Sequence, residues 1–563
     1  MLAIGMLLTV AAYRPALSGP FVLDDIVDIA HNPALTTLWP PTVPMREGGR
    51  LPHRPLPYYS FALNRAVHGL DPWGYHAVNL AIHLANGCLL AWLTTAAARR
   101  ASARPHAPHA AWLGAATGAV WLVHPLCTQA VAYVYQRMEI MAALAILATL
   151  CCFERGLRSP RRWGWWGAAG VASGLGMACK ETAVVAPVLV LLYDGLLVAR
   201  PWRVPRRRLA VHGLLFATWI VLGIVVWDQH RVRGYAEFEG SALPPIGYLL
   251  NQPAVILHYL RLAAWPAGLC FDHHWQPAGS ALAVLPACAV VAAAAAATAV
   301  AAWRGRAWAF LPAASFTLLA PTSSVMPVVD LCAEHRMYLP LATVVAGAAI
   351  AVHRLAGLRT LAVASACVAG ALTAATAERC RLYGSREALW RDCIAKAPAN
   401  PRAWECLGQA ALDAGDRSAA EAAIGEALRL DPGHAPALLL MGNVLRDRDP
   451  DAAIGWFRRA LAARPRDVAT LNNLGALLGM RGDPRAESLV REALRLDPRN
   501  VEAHSNLANL ALARGSVEEA REWFARAHAL DPADPVAARN LAAVGGRVSA
   551  AEDRPPAPGR PER

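Results

Sequence analysis

Residues 281–303 read ALAVLPACAVVAAAAAATAVAAW, with no Asp, Glu, Lys, Arg or His among them. A bilayer core takes about 20 apolar residues as a helix, so this stretch reads as a membrane span. On either side of it, stretches free of Asp, Glu, Lys and Arg recur at 76–98, 105–136, 163–179, 209–227, 307–329, 337–353 and, up to its closing Glu378, 360–378. Shorter apolar runs at 140–153 and 182–199, the second broken by Asp194, read as spans too. Met1 to Tyr13 is apolar but gives only about 20 Å of helix at 1.5 Å per residue. It lacks a basic leader, so it reads as a first span cut short, with the natural start upstream of Met1, and not as a cleaved signal peptide.

Composition agrees with a membrane chain. Of 563 residues, 56% are hydrophobic and only 17% charged, against roughly a quarter charged in soluble domains. A purely soluble enzyme is excluded. The net charge of +13 invites a nucleic-acid reading until the charges are placed. Sixteen Arg and a single acid, Glu154, fall in the short loops 99–104, 154–162, 200–208, 304–306 and 354–359. Short Arg-rich loops stay on the cytoplasmic side, so the charge reports orientation and not a nucleic-acid partner. Alternation then gives about eleven spans, with 249–278 re-entrant or interfacial. The N-terminus is cytoplasmic; the loop 14–75, the turn 124–139, Lys180-Glu181, 228–278, 322–337 and everything after 378 lie on the other side.

The tail repeats. Prolines at 398, 432, 465, 498 and 532 stand 34, 33, 33 and 34 residues apart, the period of tetratricopeptide units. The first unit carries Trp404, Leu407-Gly408, Ala420, Ile424, Ala427 and Pro432; the last carries Leu507-Ala508, Ala520, Phe524, Ala527 and Pro532. The fold class is therefore all-α: a polytopic membrane bundle over 1–378, then an α-solenoid over 379–545. Its units lie near 400–432, 433–465, 466–498 and 499–532, with a lead-in helix near 386–396 and a disordered tail at 546–563. Such arrays bind extended peptides or proteins in a concave groove. Gln409, Asn443, Asn473, Asn506 and Asn509 lie along the inner helices, where side-chain amides can hold a peptide backbone through paired donors and acceptors. The alternative is ordinary repeat consensus, with the amides bonded to their own chain.

On the non-cytoplasmic side the polar residues cluster. Asp24-Asp25 follows the first span, and Arg54 lies further along that loop. His124-Pro125 leads to Arg137-Met138-Glu139, then come Lys180-Glu181, Asp272-His273-His274 and Glu334-His335-Arg336-Met337-Tyr338-Leu339-Pro340. Spans, motifs and repeats in this order resemble the transmembrane and tetratricopeptide-repeat glycosyltransferases. These O-mannosyltransferases of animals have bacterial relatives and share the type C glycosyltransferase fold. The resemblance runs from about residue 1 to 545.

The resemblance implies a polyprenyl-phosphate sugar donor and a hydroxyl acceptor on a protein recruited by the repeats. It places the base at Asp24, with Asp25 orienting the acceptor or pairing with an Arg. A carboxylate can take the acceptor proton, and cations can hold the departing phosphate. Arg336, Arg137, Lys180 and Arg54 are the candidates for the phosphate. Glu139, Glu181, Glu334, His335 and His124 support them, or the three acids neutralise neighbouring cations as buried pairs. Localisation follows as a bacterial inner membrane with the repeats in the periplasm. Partners are the lipid-linked donor, the protein or peptide acceptor and membrane lipid.

No metal ligand set is assigned, because neither Asp272-His273-His274 nor Glu334-His335 converges by spacing alone; the cofactor, a divalent metal included, stays open. A disulfide among Cys380, Cys393 and Cys406 is compatible with an oxidising compartment. Walker, dinucleotide and nucleophile-elbow motifs are absent from the sequence. Two other readings remain beside protein glycosylation: sugar transfer to a lipid or surface polysaccharide, and a non-enzymatic membrane-anchored scaffold for envelope assembly.

Overall fold

The computed structural model describes residues 1–47, 54–101, 109–199, 202–233, 243–324, 326–531 and 535–552. These residues form helices and connecting turns, with no strand among them. They divide into two compact units, Met1–Pro398 and Ala399–Arg563.

The first unit contains α1 (Leu2–Tyr13), α2 (Pro55–His68), α3 (Pro72–Ala101), α4 (His109–Leu122), α5 (Thr128–Ala132), α6 (Arg137–Arg158), α7 (Arg162–Met177) and α8 (Ala186–Tyr193). It continues with α9 (Arg206–Ala217), α10 (Trp219–Arg233), α11 (Pro245–Ala264), α12 (Ala281–Trp303), α13 (Phe310–Leu319), α14 (Pro340–Leu382) and α15 (Arg386–Lys396). Among the described residues, six helical segments are long and apolar enough to cross a bilayer, or seven if the bent pair His109–Leu122 and Pro125–Ala132 is one span. The eleven runs read from the sequence exceed this number at identifiable places. Leu2–Ala16 and Ala307–Leu319 are short, and the runs 337–353 and 360–378 form the two arms of α14, two helices joined across Gly357 that count here as one segment. That helix is kinked at Gly357, whose φ of +83° is open to glycine and costly for other residues. Ala349 and Leu361, on either side of the kink, join Leu113 and Ala116 of α4 in one buried cluster.

Exposure separates lipid-facing helices from core. On α12, Leu282 and Trp303 are 77% and 78% exposed, which a bilayer tolerates and water would not. Around α6 the opposite holds: Met138, Ile140, Ala142 and Phe153 are fully buried. The lead-in helix α15 packs on this first unit. Leu389, Trp390 and Cys393 are buried, the Trp390 ring meets Phe271 edge-on at 5.4 Å, and Lys396 Nζ donates to Leu269 O at 2.7 Å. The boundary between compact units therefore follows α15, later than the 378/379 division read from hydropathy.

The second unit is a stack of helix pairs: α16 (Pro401–Asp413) with α17 (Arg417–Leu430), α18 (Ala435–Leu445) with α19 (Pro450–Ala463), α20 (Val468–Met480) with α21 (Ala486–Leu496), and α22 (Val501–Ala513) with α23 (Val517–Leu530). Asn400, Asp416, Asp449, Asp467 and Asn500 cap helix starts by accepting from amides three residues on. The small repeat position is explained by contact. A Cβ on Gly408, Gly442 or Gly475 would come within 2.6, 2.4 and 2.6 Å of Ile424, Phe457 and Val490 on the paired helix. Ala508 fills the same place in the last pair, buried with Phe524. A closing helix, α24 (Pro535–Glu552), covers 546–552, part of the stretch expected to be disordered; 553–563 lie outside the described residues.

Candidate functional site

Asp24 and Asp25 leave the first apolar helix through a turn in which Leu23 adopts φ +48°. Their neighbours treat them differently. Asp25 is fully buried; its Oδ1 accepts from Tyr135 N at 2.7 Å and its Oδ2 from Val22 N at 3.1 Å. Burial pushes this carboxyl well above the ordinary carboxylate range, against the pull of those amides. Asp24 is half-buried; the Tyr133 hydroxyl donates to its Oδ2 at 2.7 Å and accepts from its backbone N at 3.1 Å. Of the pair, Asp25 anchors the backbone and Asp24 keeps an accessible edge.

The cations come from three separate loops. Arg54 donates to both oxygens of Glu181, at 3.1 and 2.7 Å, and this partner holds its guanidinium above its ordinary value although burial works the other way. Lys180 Nζ lies 2.7 Å from Glu139 Oε2. Arg336 donates to Tyr248 Oη, Leu331 O and Asp330 O at 3.3, 3.1 and 2.6 Å. His335 marks where they converge: burial first, then the charges of Lys180, Arg336 and Arg54, hold its imidazole well below its ordinary value. It stays neutral and donates from backbone and Nδ1 to Gln129 Oε1 at 2.8 and 3.2 Å. Tyr135 stands between the acids and Arg54: its backbone N donates to Asp25, and its ring feels the charges of both Asp24 and Arg54.

The acids do not neutralise their sequence neighbours. Glu139 takes Lys180, Glu181 takes Arg54, and Glu334 takes Arg379 at 3.0 Å. Side chains one or two apart on a turn or helix point away from each other, so each acid finds its cation on another segment. Glu334 is a hub: it also accepts from Cys270 N at 2.6 Å and meets His273 Nε2 at 3.0 Å. Burial alone would raise its carboxyl, but Arg379 and His273 hold it below the usual range.

Two expected members stand apart. Arg137 is fully buried, donates to Asn79 Oδ1, Ser60 O and Oγ, and Tyr75 O at 2.7–3.3 Å, and lies over the Phe61 ring at 4.6 Å. Protein acceptors surround its guanidinium, as they do that of Arg336. His124 accepts from Leu126 N at 3.2 Å and pairs through Nε2 with Ala263 O at 3.1 Å, joining the α4–α5 bend to the end of α11. Reading the sequence missed Tyr133, Tyr135, Gln129 and Arg379. The first two lie just before the Gln136-Arg137 motif, and the last sits at the end of a long apolar run.

Beside the cations lies space. Glu139, Thr182, Thr322 and Arg336 line a small polar pocket, which shares Ile146, Leu318 and Leu339 with a cavity of about 640 Å³. Leucine and alanine side chains dominate that larger cavity, which reaches Arg354. From Leu339 to Arg354 is about 22 Å of helix rise. The arrangement can hold an apolar chain within the bundle with an anionic head at Arg336.

In the repeat unit the amides are already engaged. Asn473 donates to Asn443 Oδ1 at 2.9 Å, and Asn506 to Asn472 Oδ1 at 2.8 Å, so rungs link successive units. Gln409 turns to Asp413 of its own helix at 2.7 Å, and Asn509 is exposed. The five do not share one repeat register: Gln409, Asn443 and Asn509 fall in one, Asn473 and Asn506 in another.

All twelve cysteines are free thiols, Cys380, Cys393 and Cys406 among them. One set of metal-capable side chains does converge: donor atoms of His258, His273 and Cys332 all lie within 4.8 Å of one another. The sequence hid it, because the three come from α11, the loop after it, and the segment before Glu334.

Comparison with known proteins follows the two units. A family model described as dolichyl-phosphate-mannose-protein mannosyltransferase matches residues 85–227, and a tetratricopeptide-repeat model matches 406–468 and 476–535. Mouse protein O-mannosyl-transferase TMTC2 is 32% identical over 202 residues, 33% of this chain and 23% of that protein. Drosophila melanogaster Tmtc2 is 35% identical over 147 residues, 25% of this chain and 15% of its own length. The matched stretch thus spans about a quarter or less of these relatives. Among solved structures, Pseudomonas aeruginosa pilF covers 27% of this chain and 71% of its own at 26% identity, with a TM-score of 0.26. The chain is a polytopic membrane protein with a tetratricopeptide-repeat unit, similar to the protein O-mannosyltransferases.

Proposed function

We propose that this protein is a membrane glycosyltransferase that moves a hexose, mannose foremost, from a polyprenyl-phosphate donor to a Ser or Thr hydroxyl of a protein acceptor. One observation carries the reading: a half-buried carboxylate and loop cations whose charges all reach His335, in the same bundle as an apolar cavity that shares Ile146, Leu318 and Leu339 with the small pocket containing Arg336. The polyprenyl chain occupies the cavity, and its phosphate meets Arg336, with Lys180 and Arg54 adding positive field. Asp24 takes the acceptor hydroxyl proton as the oxygen attacks the anomeric carbon, and the bond from sugar to phosphate breaks. A single displacement inverts the anomeric centre. Asp25 and Tyr133 set the position of Asp24. The repeats recruit the acceptor, their amide rungs exchanging partners for a peptide backbone.

Orientation belongs to the same proposal. The loops 99–104, 154–162, 200–208, 304–306 and 354–359 face the cytoplasm, so the Asp24 side and the repeats face the periplasm of a bacterial inner membrane. The similarity to O-mannosyltransferases supports the reaction class.

The test is mass spectrometry of proteins from cells with and without this gene. The expected result is a hexose on Ser or Thr that disappears with the gene and fails to return with Asp24→Asn. Label found only in lipid or polysaccharide would overturn the protein acceptor. Unchanged protein and glycan profiles, with envelope assembly disturbed, would favour the scaffold reading.

A further inference from the structure

We propose that His258, His273 and Cys332 form a structural zinc site. Their donor atoms lie within 4.8 Å of one another. A tetrahedral Zn²⁺, with bonds near 2.0–2.1 Å to nitrogen and 2.3 Å to sulfur, needs donors roughly 3.4–3.6 Å apart. Small side-chain rotations close that gap. Two imidazoles and one thiolate suit a borderline-soft ion and are foreign to Mg²⁺ or Ca²⁺, which take oxygen.

Two further features of these residues point to a ligand. His258 Nε2 is buried with no hydrogen-bond partner, which is costly for a ring nitrogen unless something binds it. His273 Nε2 meets Glu334 Oε1 at 3.0 Å, and Glu334 is itself fixed by Arg379 and the Cys270 amide. A carboxylate that orients a histidine while held by its own partners is the usual outer shell of a zinc ligand. Three protein ligands leave one position for water or a fourth donor. On binding, the Cys332 thiol loses its proton to solvent and the thiolate bonds the ion.

The site has a structural consequence. It joins α11 and the 265–280 loop to the segment that precedes Arg336. Cys332 follows directly on Asp330 and Leu331, whose carbonyls hold the Arg336 guanidinium at 2.6 and 3.1 Å. Zinc at Cys332 therefore fixes the cradle of Arg336.

The experiment uses the full-length protein in nanodiscs. Elemental analysis of the wild type is expected to give about one zinc per chain, falling about tenfold or more in His258→Ala and Cys332→Ser. Cys332→His keeps a ligand and should retain zinc. Cobalt substitution of the wild type should give a thiolate-to-metal charge-transfer band, lost in Cys332→His while the ligand-field bands remain. Because the cobalt spectrum needs only wild-type protein, it decides the matter even if a variant fails to fold. Wild type that carries no zinc and shows no such band overturns the site, as does full zinc content in Cys332→Ser. Copper in place of zinc at the same residues would overturn the assignment of the ion.

Discussion

Helix α6 joins two polar layers that differ in kind. At its C-terminal end Glu154 is fully buried and takes Arg100 at 2.6 Å, Arg158 at 2.8 Å and the Tyr193 hydroxyl at 3.1 Å. Close by in the chain, buried Asp194 takes Arg208 at 2.7 Å and His212 at 2.9 Å. At the N-terminal end, about 22 Å away by helix rise, Glu139 shares a small pocket with Arg336, the Glu181 side chain is 39% exposed, and Asp24 is half-buried. In the first layer the acids are enclosed by their partners, which locks helix ends together. In the second, the Asp24 and Glu181 carboxylates retain an edge that a ligand can reach, while Lys180 and Arg336 are buried. Enclosed carboxylates serve structure, and the accessible ones are those the proposed chemistry uses.

Substitutions should separate the layers. Asp24→Asn is expected to lower turnover about 10²–10⁴-fold, the ordinary worth of a general base, with thermal stability nearly unchanged; a rate assay with purified donor reads it. Glu154→Gln should do the reverse. It leaves Arg100 and Arg158 without their carboxylate and should cost on the order of 2–3 kcal/mol of stability, since both cations are partly exposed and the full buried-pair penalty is not met. Its turnover per folded molecule should match wild type. Arg336→Lys gives up the fork that spans two carbonyls and, in the proposed reaction, would meet the phosphate, and donor KM is expected to rise about tenfold. Glu181→Gln, in a pair open to water, should change donor KM no more than about threefold. A large stability loss from that last change would place Glu181 in the structural layer and break the comparison.

Legibility followed the range of the interactions. Apolar runs and the 33–34-residue period are local and repetitive, so both units could be read from the chain. Gly408, Gly442 and Gly475 announce close helix contact by spacing alone, and the structure supplies the partners. The span count was harder, because Leu2–Ala16 and Ala307–Leu319 are as apolar as the long spans but fall short of them in length. Pairing among charges was not legible. Arg137 stands in a motif with Glu139, yet it packs on Asn79 and Phe61 while Glu139 reaches Lys180. Tyr133 and Gln129 look like ordinary span residues until Asp24 and His335 are placed against them. His258 and Cys332 lie more than seventy residues apart, beyond any spacing rule for metal ligands.

The central claim is that the Asp24 layer performs chemistry and the Glu154 layer maintains structure. The most direct measurement is sugar transfer from a polyprenyl-phosphate hexose, compared for Asp24→Asn and Glu154→Gln at equal amounts of folded protein. The account predicts transfer lost in the first and retained in the second. Equal activity in the two variants would contradict it.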